Sequence, residues 1–330
     1  MPTSTRARIG VLLPRDLPID QVLPYARRAD ALGFDEIWLV EDLGFRGGIA
    51  QTGAVLAATE RIAVGVGILP AGARNAAFSA MELATLAQLF PGRFIAGIGH
   101  GMPVWMRQVG AWPASPLTLL GEYATAVRTL MRGEPGPAAG RYVNVEGVEL
   151  VELPETAPPV LLGVRGPKSL AVAGAVADGV VLAEPATPAY IAASLAQVRS
   201  GAAAAGLPAD TRFEITSYDV AAVDDDAQAA IARVRPGLAW YGEPDWAPHL
   251  IGLPFAEDLA GLRRECAGPD EFARRLPDEW IAELSLAGTA SQVREGIARR
   301  HEAGSTSVVL TPVGEDRLGE LDRLAEVLPR

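Results

Sequence analysis

Apolar and polar positions along this chain fall into repeating blocks. Arg8–Leu13 is a short apolar run closed by Pro14, which predicts a buried strand, and Asp20–Leu32 carries apolar residues at helical spacing before a Gly33 stop. The pair then recurs. Asp35–Val40 reads as a strand and Ile49–Thr59 as a helix; Arg61–Leu69 and Ala77–Phe90 repeat the order, and Arg93–Gly99 is a fourth strand. Strands alternating with helices over short connections predict a parallel sheet, because parallel neighbours need crossover helices. The strands are almost uninterruptedly apolar, as strands covered on both faces are.

The second half keeps the period with larger interruptions. Leu117–Arg132 reads as a helix, and Tyr142–Leu153 alternates about a central glycine, which predicts a hairpin. Strands follow at Pro159–Gly163, Gly179–Ala183, within Arg212–Val223 and at Ser305–Leu310, with helices at Pro167–Val176, Pro188–Ala205, Ala290–Ala303 and Leu318–Leu328. Asp225–Leu286 is helical and far longer than a crossover. Eight strands, each followed by a helix, are the count for an α/β (β/α)8 TIM barrel. The expected organisation is one domain over residues 1–330, with insertions after strands four and seven at 100–158 and 225–286. A doubly wound sheet would place a GxGxxG loop after its first strand. Here Pro14–Pro18 holds no glycine, and Gly97-Ile98-Gly99-His100-Gly101 has the wrong last spacing.

Composition narrows the class. With 330 residues, 49% of them apolar, a large core is available. The apolar runs break well short of the ~20 residues a membrane span needs. Met1–Arg8 is polar and unlike a signal peptide. The single cysteine, Cys266, excludes a disulfide scaffold and a cysteine-based zinc cluster. Together these place the expected location in the cytoplasm. A net charge of −11 offers nucleic acid no electrostatic footprint. Of the 29 cationic side chains, 28 are arginine and one is lysine, Lys168.

In a barrel, chemistry belongs at the C-terminal strand ends. Ends three, four and five are glycine-rich, which lets a backbone approach a flat ligand or adopt unusual torsions. Gly163-Val164-Arg165-Gly166-Pro167-Lys168-Ser169 brings two cations to a helix start. It reads either as an anion site or as a tight turn with solvated charges. His100, His249 and His301 are far apart and form no metal-binding pair, so no metal is expected, and there is no GxSxG elbow. Glu41 and Asp42 are adjacent on extended chain and should point to opposite sides. Arg235–Arg275 carries Trp240, Tyr241, Trp246, His249 and Phe255, which suits a lid or substrate wall, a helical cap with its own core, or a dimer contact.

Several of these pieces also resemble a family. They are Gly33–Asp42 (GFDEIWLVED), Arg61–Pro70 (RIAVGVGILP), Pro91–Gly101 (PGRFIAGIGHG), Ala177–Leu182 (ADGVVL) and Ala287–Val313, in order over almost the whole chain. The set resembles the luciferase-like monooxygenases, and most nearly their methylenetetrahydromethanopterin-reductase-like branch, whose members use the deazaflavin F420. The resemblance implies a small-molecule oxidoreductase that moves a hydride between F420 and an organic substrate. Two alternatives stand beside it: a flavin mononucleotide (FMN) monooxygenase using oxygen, and a barrel that has lost its cofactor and serves as a binding or structural protein. It further implies a homodimer and a non-prolyl cis peptide at Gly67–Ile68 under the ring. It places Glu41, Gly99, His100, Gly163, Val164, Arg165, Gly166, Lys168, Ala183 and Glu184 around the cofactor. Asp42 stands where many members have histidine, and Met102 stands where the branch has glutamate. His100 and Glu41 are then the candidate catalytic groups, and Asp42, Met102, Trp240 and His249 the substrate side.

Overall fold

Parallel pairing runs unbroken around the molecule in the computed structural model, which describes residues 7–329. The polar residues before Ala7, on which the signal-peptide expectation rests, lie outside the described residues. In chain order the first half is β1 (Arg8–Leu12), α1 (Ile19–Leu32), β2 (Glu36–Leu39), α2 (Gly48–Ala58), β3 (Ala63–Pro70), α3 (Ala76–Leu89), β4 (Phe94–Gly99), α4 (Pro103–Gln108) and α5 (Pro116–Met131). The second half is β5 (Val160–Gly163), α6 (Pro167–Val176), β6 (Gly179–Leu182), α7 (Pro188–Ala204), β7 (Glu214–Val223), α8 (Ala227–Val234), α9 (Ala256–Glu265), α10 (Pro269–Arg275), α11 (Asp278–Leu284), β8 (Leu286–Gly288), α12 (Ala290–Glu302), β9 (Ser307–Pro312) and α13 (Arg317–Leu324). Strands β1 to β7 pair in sequence, β7 pairs with β9, and β9 pairs with β1, closing an eight-stranded TIM barrel. The three-residue β8 extends the end of β7 outside that ring.

Side-chain alternation divides the core. Ile9, Val11, Ile37, Leu39, Val64, Val66, Phe94 and Ile98 face the helices, whereas Trp38, Ile95, Leu161, Val181, Tyr218 and Val309 fill the barrel. Helix ends follow local chemistry: Gly33 closes α1 at φ 101°, Asn75 caps α3, and Thr289 with Gln292 forms a capping box on α12.

The expected hairpin at Tyr142–Leu153 is absent. The segment is irregular, and its backbone amides are taken elsewhere. The Glu122 carboxylate accepts from the amides of Arg141, Tyr142 and Val143, and Gly136 donates to the Val148 carbonyl. A ladder cannot form from amides already bonded in this way. The long stretch between β7 and β8 folds as α8 to α11 with two 3-10 turns, Arg235–Leu238 and Pro244–Leu250. It has a core of its own, with Leu238, Tyr241, Leu259, Phe272, Ile281 and Leu284 packed on Val220 and Ala222 of β7. No helix among the described residues is long and apolar enough to cross a membrane.

Candidate functional site

Four glycines of β3, β4 and β5, Gly65, Gly67, Gly99 and Gly163, are each matched to a side chain, whereas Gly97 lies against the Val66 backbone. A Cβ at Gly65 would lie 2.5 Å from the Trp38 ring, and one at Gly67 would lie 2.4 Å from the Tyr218 hydroxyl. At Gly99 and Gly163 it would meet Ile68, at 2.8 Å and 2.4 Å. The register of β3 shifts between Val66 and Leu69, and the Gly67–Ile68 peptide is cis. Ile68 thus lies across the mouth over two strands. The glycines make room for Trp38, Tyr218 and Ile68, which form an apolar floor. Beneath it, Glu36 accepts from Trp38 Nε1 at 2.7 Å and from Ser307 Oγ at 2.6 Å.

At the end of β2 every polar group is engaged. Arg74 donates to both oxygens of Glu41, at 2.6 and 2.7 Å, and the Gly48 amide donates at 2.6 Å. Asp42 points the other way and pairs with Arg15. Nearby, a cavity of about 320 Å³ opens between the loop after β3 and the segment after α4, lined by Arg74, Asn75, Trp112, Tyr123 and Tyr142. Three of its polar side chains have partners: Asn75 caps α3, Tyr123 donates to Ser79, and Tyr142 accepts from the Ser115 amide.

The ends of β4 and β5 meet at His100. Its Nε2 lies 3.1 Å from Ser169 Oγ in the first turn of α6, and its Nδ1 is buried without a partner. Burial lowers its pKa below the usual histidine range. Met102 precedes α4 and is only half-buried. Val164 is buried, and Arg165 does not reach into the mouth alone: it stacks over Trp246 at 5.2 Å and donates to the Asp245 carbonyl. Gly166 starts α6 with no side-chain cap, and Lys168 is exposed on that helix's first turn.

The ends of β6, β7 and β9 are different. Ala183 and Glu184 lead into a cis Pro185. Glu184 is half-buried, and burial, reinforced by Asp219 and Asp42, raises its carboxyl above the usual range. Within its electrostatic reach the hydroxyls of Tyr218 and Tyr241 are buried without a hydrogen-bond partner. His249 is fully buried, stacks on Tyr190 at 4.5 Å, and places Nδ1 3.3 Å from the Pro185 carbonyl. Burial, helped by Arg165, pushes its pKa down to about 3. Behind this wall the buried Asp219–Arg300 pair, at 2.5 and 3.0 Å, also receives the Ala186 amide. Trp240 stands apart at 57% exposed, on the outer surface of the insertion. The insertion therefore folds as a cap with its own core, and it brings Trp246 against Arg165 and His249 against the Pro185 carbonyl.

Sequence reasoning did not single out Arg74, Tyr218 or the Asp219–Arg300 pair, and it read Tyr241 only as one of the insertion's aromatics. Asp219 carried a usable signal, a carboxylate inside an otherwise apolar strand. A flat apolar floor, orphaned polar atoms on one flank and an uncapped helix start on another fit a ring with a hydrogen-bonding edge and an anionic tail. Among the described residues no group of acidic, histidine or cysteine side chains could hold a metal ion.

Comparison with known proteins agrees with the geometry. The sequence model described as luciferase-like monooxygenase matches residues 3–307. A 5,10-methylenetetrahydromethanopterin reductase of Methanolobus tindarius is 27% identical over 311 residues, 92% of this chain and 94% of that one. An F420-dependent glucose-6-phosphate dehydrogenase of Microbacterium testaceum is 27% identical over 326 residues, 94% of this chain and 93% of that one. The solved coenzyme F420-dependent tetrahydromethanopterin reductase of Methanopyrus kandleri superimposes with a TM-score of 0.82 at 22% identity, over 98% of each chain.

Proposed function

Because the chain belongs to the luciferase-like monooxygenase family, we propose that it is an oxidoreductase that binds coenzyme F420 and moves a hydride between it and a small organic substrate. The observation that carries this reading is the Ile68 floor facing unpartnered buried polar atoms at the barrel mouth. The names of the relatives favour the deazaflavin over FMN. When bound, the deazaflavin supplies hydride chemistry without reacting with oxygen.

The chain's own residues supply the rest. Ile68, over Gly99 and Gly163, seats one face of the ring. The start of α6, with Gly166 and Lys168, receives the phosphate, and Val164, Ala183 and His100 line the ring's edges. Glu41, tied to Arg74 and Gly48, keeps the β2 end in shape beside the ring. The wall of Trp246 and His249 excludes water from the reacting centre. A homodimer in the cytoplasm completes the reading. It is supported by the exposed apolar faces of α2 (Ala50, Ala54, Ala57) and α3 (Phe78, Met81, Leu89) and by the single free cysteine.

Titration of the protein with oxidised F420 and with FMN, followed by cofactor fluorescence, tests the proposal. Saturable binding of F420 with FMN excluded is the expected outcome. Tight FMN binding without F420 binding overturns it in favour of the oxygen-using alternative.

A further inference from the structure

Tyrosine hydroxyls buried in folded proteins usually find a hydrogen-bond partner, because an unpaired one forfeits the bonds it made to water. Tyr218 departs from this rule beside the ring seat. It projects from β7 into the barrel and is 5% exposed, and its hydroxyl has no hydrogen-bond partner among the described residues.

Its neighbours fix where that hydroxyl lies. A Cβ at Gly67 would fall 2.4 Å from it and 3.2 Å from the Trp38 ring. The hydroxyl therefore lies against the irregular end of β3, at the Gly67–Ile68 peptide, in space that only a glycine leaves open. The Tyr218 ring meets Trp38 edge-on, with 5.8 Å between centroids and 69° between planes, so the phenol is braced from the side. The rest of the floor is settled. Ile68 has no polar side-chain atom, and Trp38 Nε1 is spent on Glu36 beneath. Of the three floor side chains, only Tyr218 keeps a donor to give. Burial, reinforced by Glu184 and Glu36, raises its pKa far above the ordinary tyrosine value, so it stays a neutral phenol with its proton in place.

The side of the ring that the hydroxyl faces decides its partner. A ring seated on Ile68 turns one face to the floor and the other to the open mouth. The floor side is full: Ile68 leaves no room for a Cβ at Gly99 or Gly163, which it would meet at 2.8 and 2.4 Å. A substrate then approaches the opposite face, and the group within reach of the Tyr218 hydroxyl is the cofactor.

Resting on the F420 reading above, we propose that Tyr218 is a cofactor-contacting residue of this site, whose hydroxyl donates a hydrogen bond to a carbonyl oxygen or ring nitrogen of the bound deazaflavin. Gly67 is the residue that admits it. In the free protein the hydroxyl adds nothing to folding. With the cofactor bound, it fixes the ring in its seat and polarises the acceptor to which it bonds.

The test compares the full-length wild type with Tyr218→Phe, which removes one oxygen and leaves the shape of the floor intact. No readout needs a substrate. Titration with F420, followed by cofactor fluorescence, gives binding about tenfold weaker in the variant, the loss expected when a buried acceptor is deprived of its donor. The visible absorption maximum of F420 bound to the variant differs from that of F420 bound to the wild type. Without cofactor, the variant melts at the wild-type temperature or above it, since the hydroxyl it lacks had no partner. The rise in melting temperature on adding F420 is smaller in the variant than in the wild type. A tyrosine serving the fold alone would give the reverse, a lower melting temperature without cofactor and unchanged binding. Equal F420 affinity, coincident spectra of the bound coenzyme, or a cofactor-free variant that melts below the wild type each overturns the proposal and leaves the F420 reading standing. A wild type that fails to bind F420 at all overturns the cofactor reading itself, and this inference with it.

Discussion

The two flanks of the barrel mouth carry similar chemistry in opposite states. At the end of β2, Glu41 has both oxygens occupied by Arg74 and the Gly48 amide, and Asn75, Tyr123 and Tyr142 of the adjoining cavity have partners as well. At the ends of β6 and β7, Glu184 has no bonded cation, though Arg165 lies within electrostatic reach of it, and the hydroxyls of Tyr218 and Tyr241 are buried without a hydrogen bond. A polar group that is already satisfied holds the fold. A buried polar group that is not satisfied holds a place for something else, because burying it unpaired costs about 1–3 kcal/mol. The difference gives Glu41 a part in holding the β2 end and leaves the β6–β7 flank the more open of the two.

The largest effect expected from disturbing this contrast lies behind the β6–β7 flank. Asp219 and Arg300 are 0% and 2% exposed at their side chains. Arg300→Met leaves a buried carboxylate unpaired and should cost about 3–5 kcal/mol in chemical denaturation. A loss below 1 kcal/mol would mean that the pair is solvated and the flank less dry than described. Next comes the floor. A Cβ at Gly163 meets Ile68 at 2.4 Å, so Gly163→Ala pushes Ile68 into the ring seat. F420 affinity should fall about tenfold or more, ~1.4 kcal/mol, with the thermal melt little changed. Unchanged affinity would put the ring elsewhere. The smallest effect belongs to the exposed Lys168, where Lys168→Ala should weaken F420 binding a few-fold at low salt and less at high salt, since an exposed charge is screened. An effect independent of salt would remove the lysine from the phosphate site.

Much of the architecture was legible in the sequence. The barrel strands lie within a few residues of their expected bounds because buried parallel strands are apolar throughout, a pattern that local reading captures. β8 was not legible, since three residues carry no periodicity. The false hairpin at Tyr142–Leu153 had alternation but no partner strand, and its amides go to Glu122, twenty residues earlier in the chain. The site was legible as a set of strand ends and much less so as a set of states. Nothing near Glu41 in sequence announces Arg74, 33 residues on. Tyr241 and His249 reach the mouth only because the insertion packs its own core against β7.

The most direct measurement is a crystal structure of the F420-loaded protein. The deazaflavin ring should lie on Ile68, over Gly99 and Gly163, with the phosphate at the start of α6. A ring bound elsewhere, out of contact with Ile68, would contradict the account.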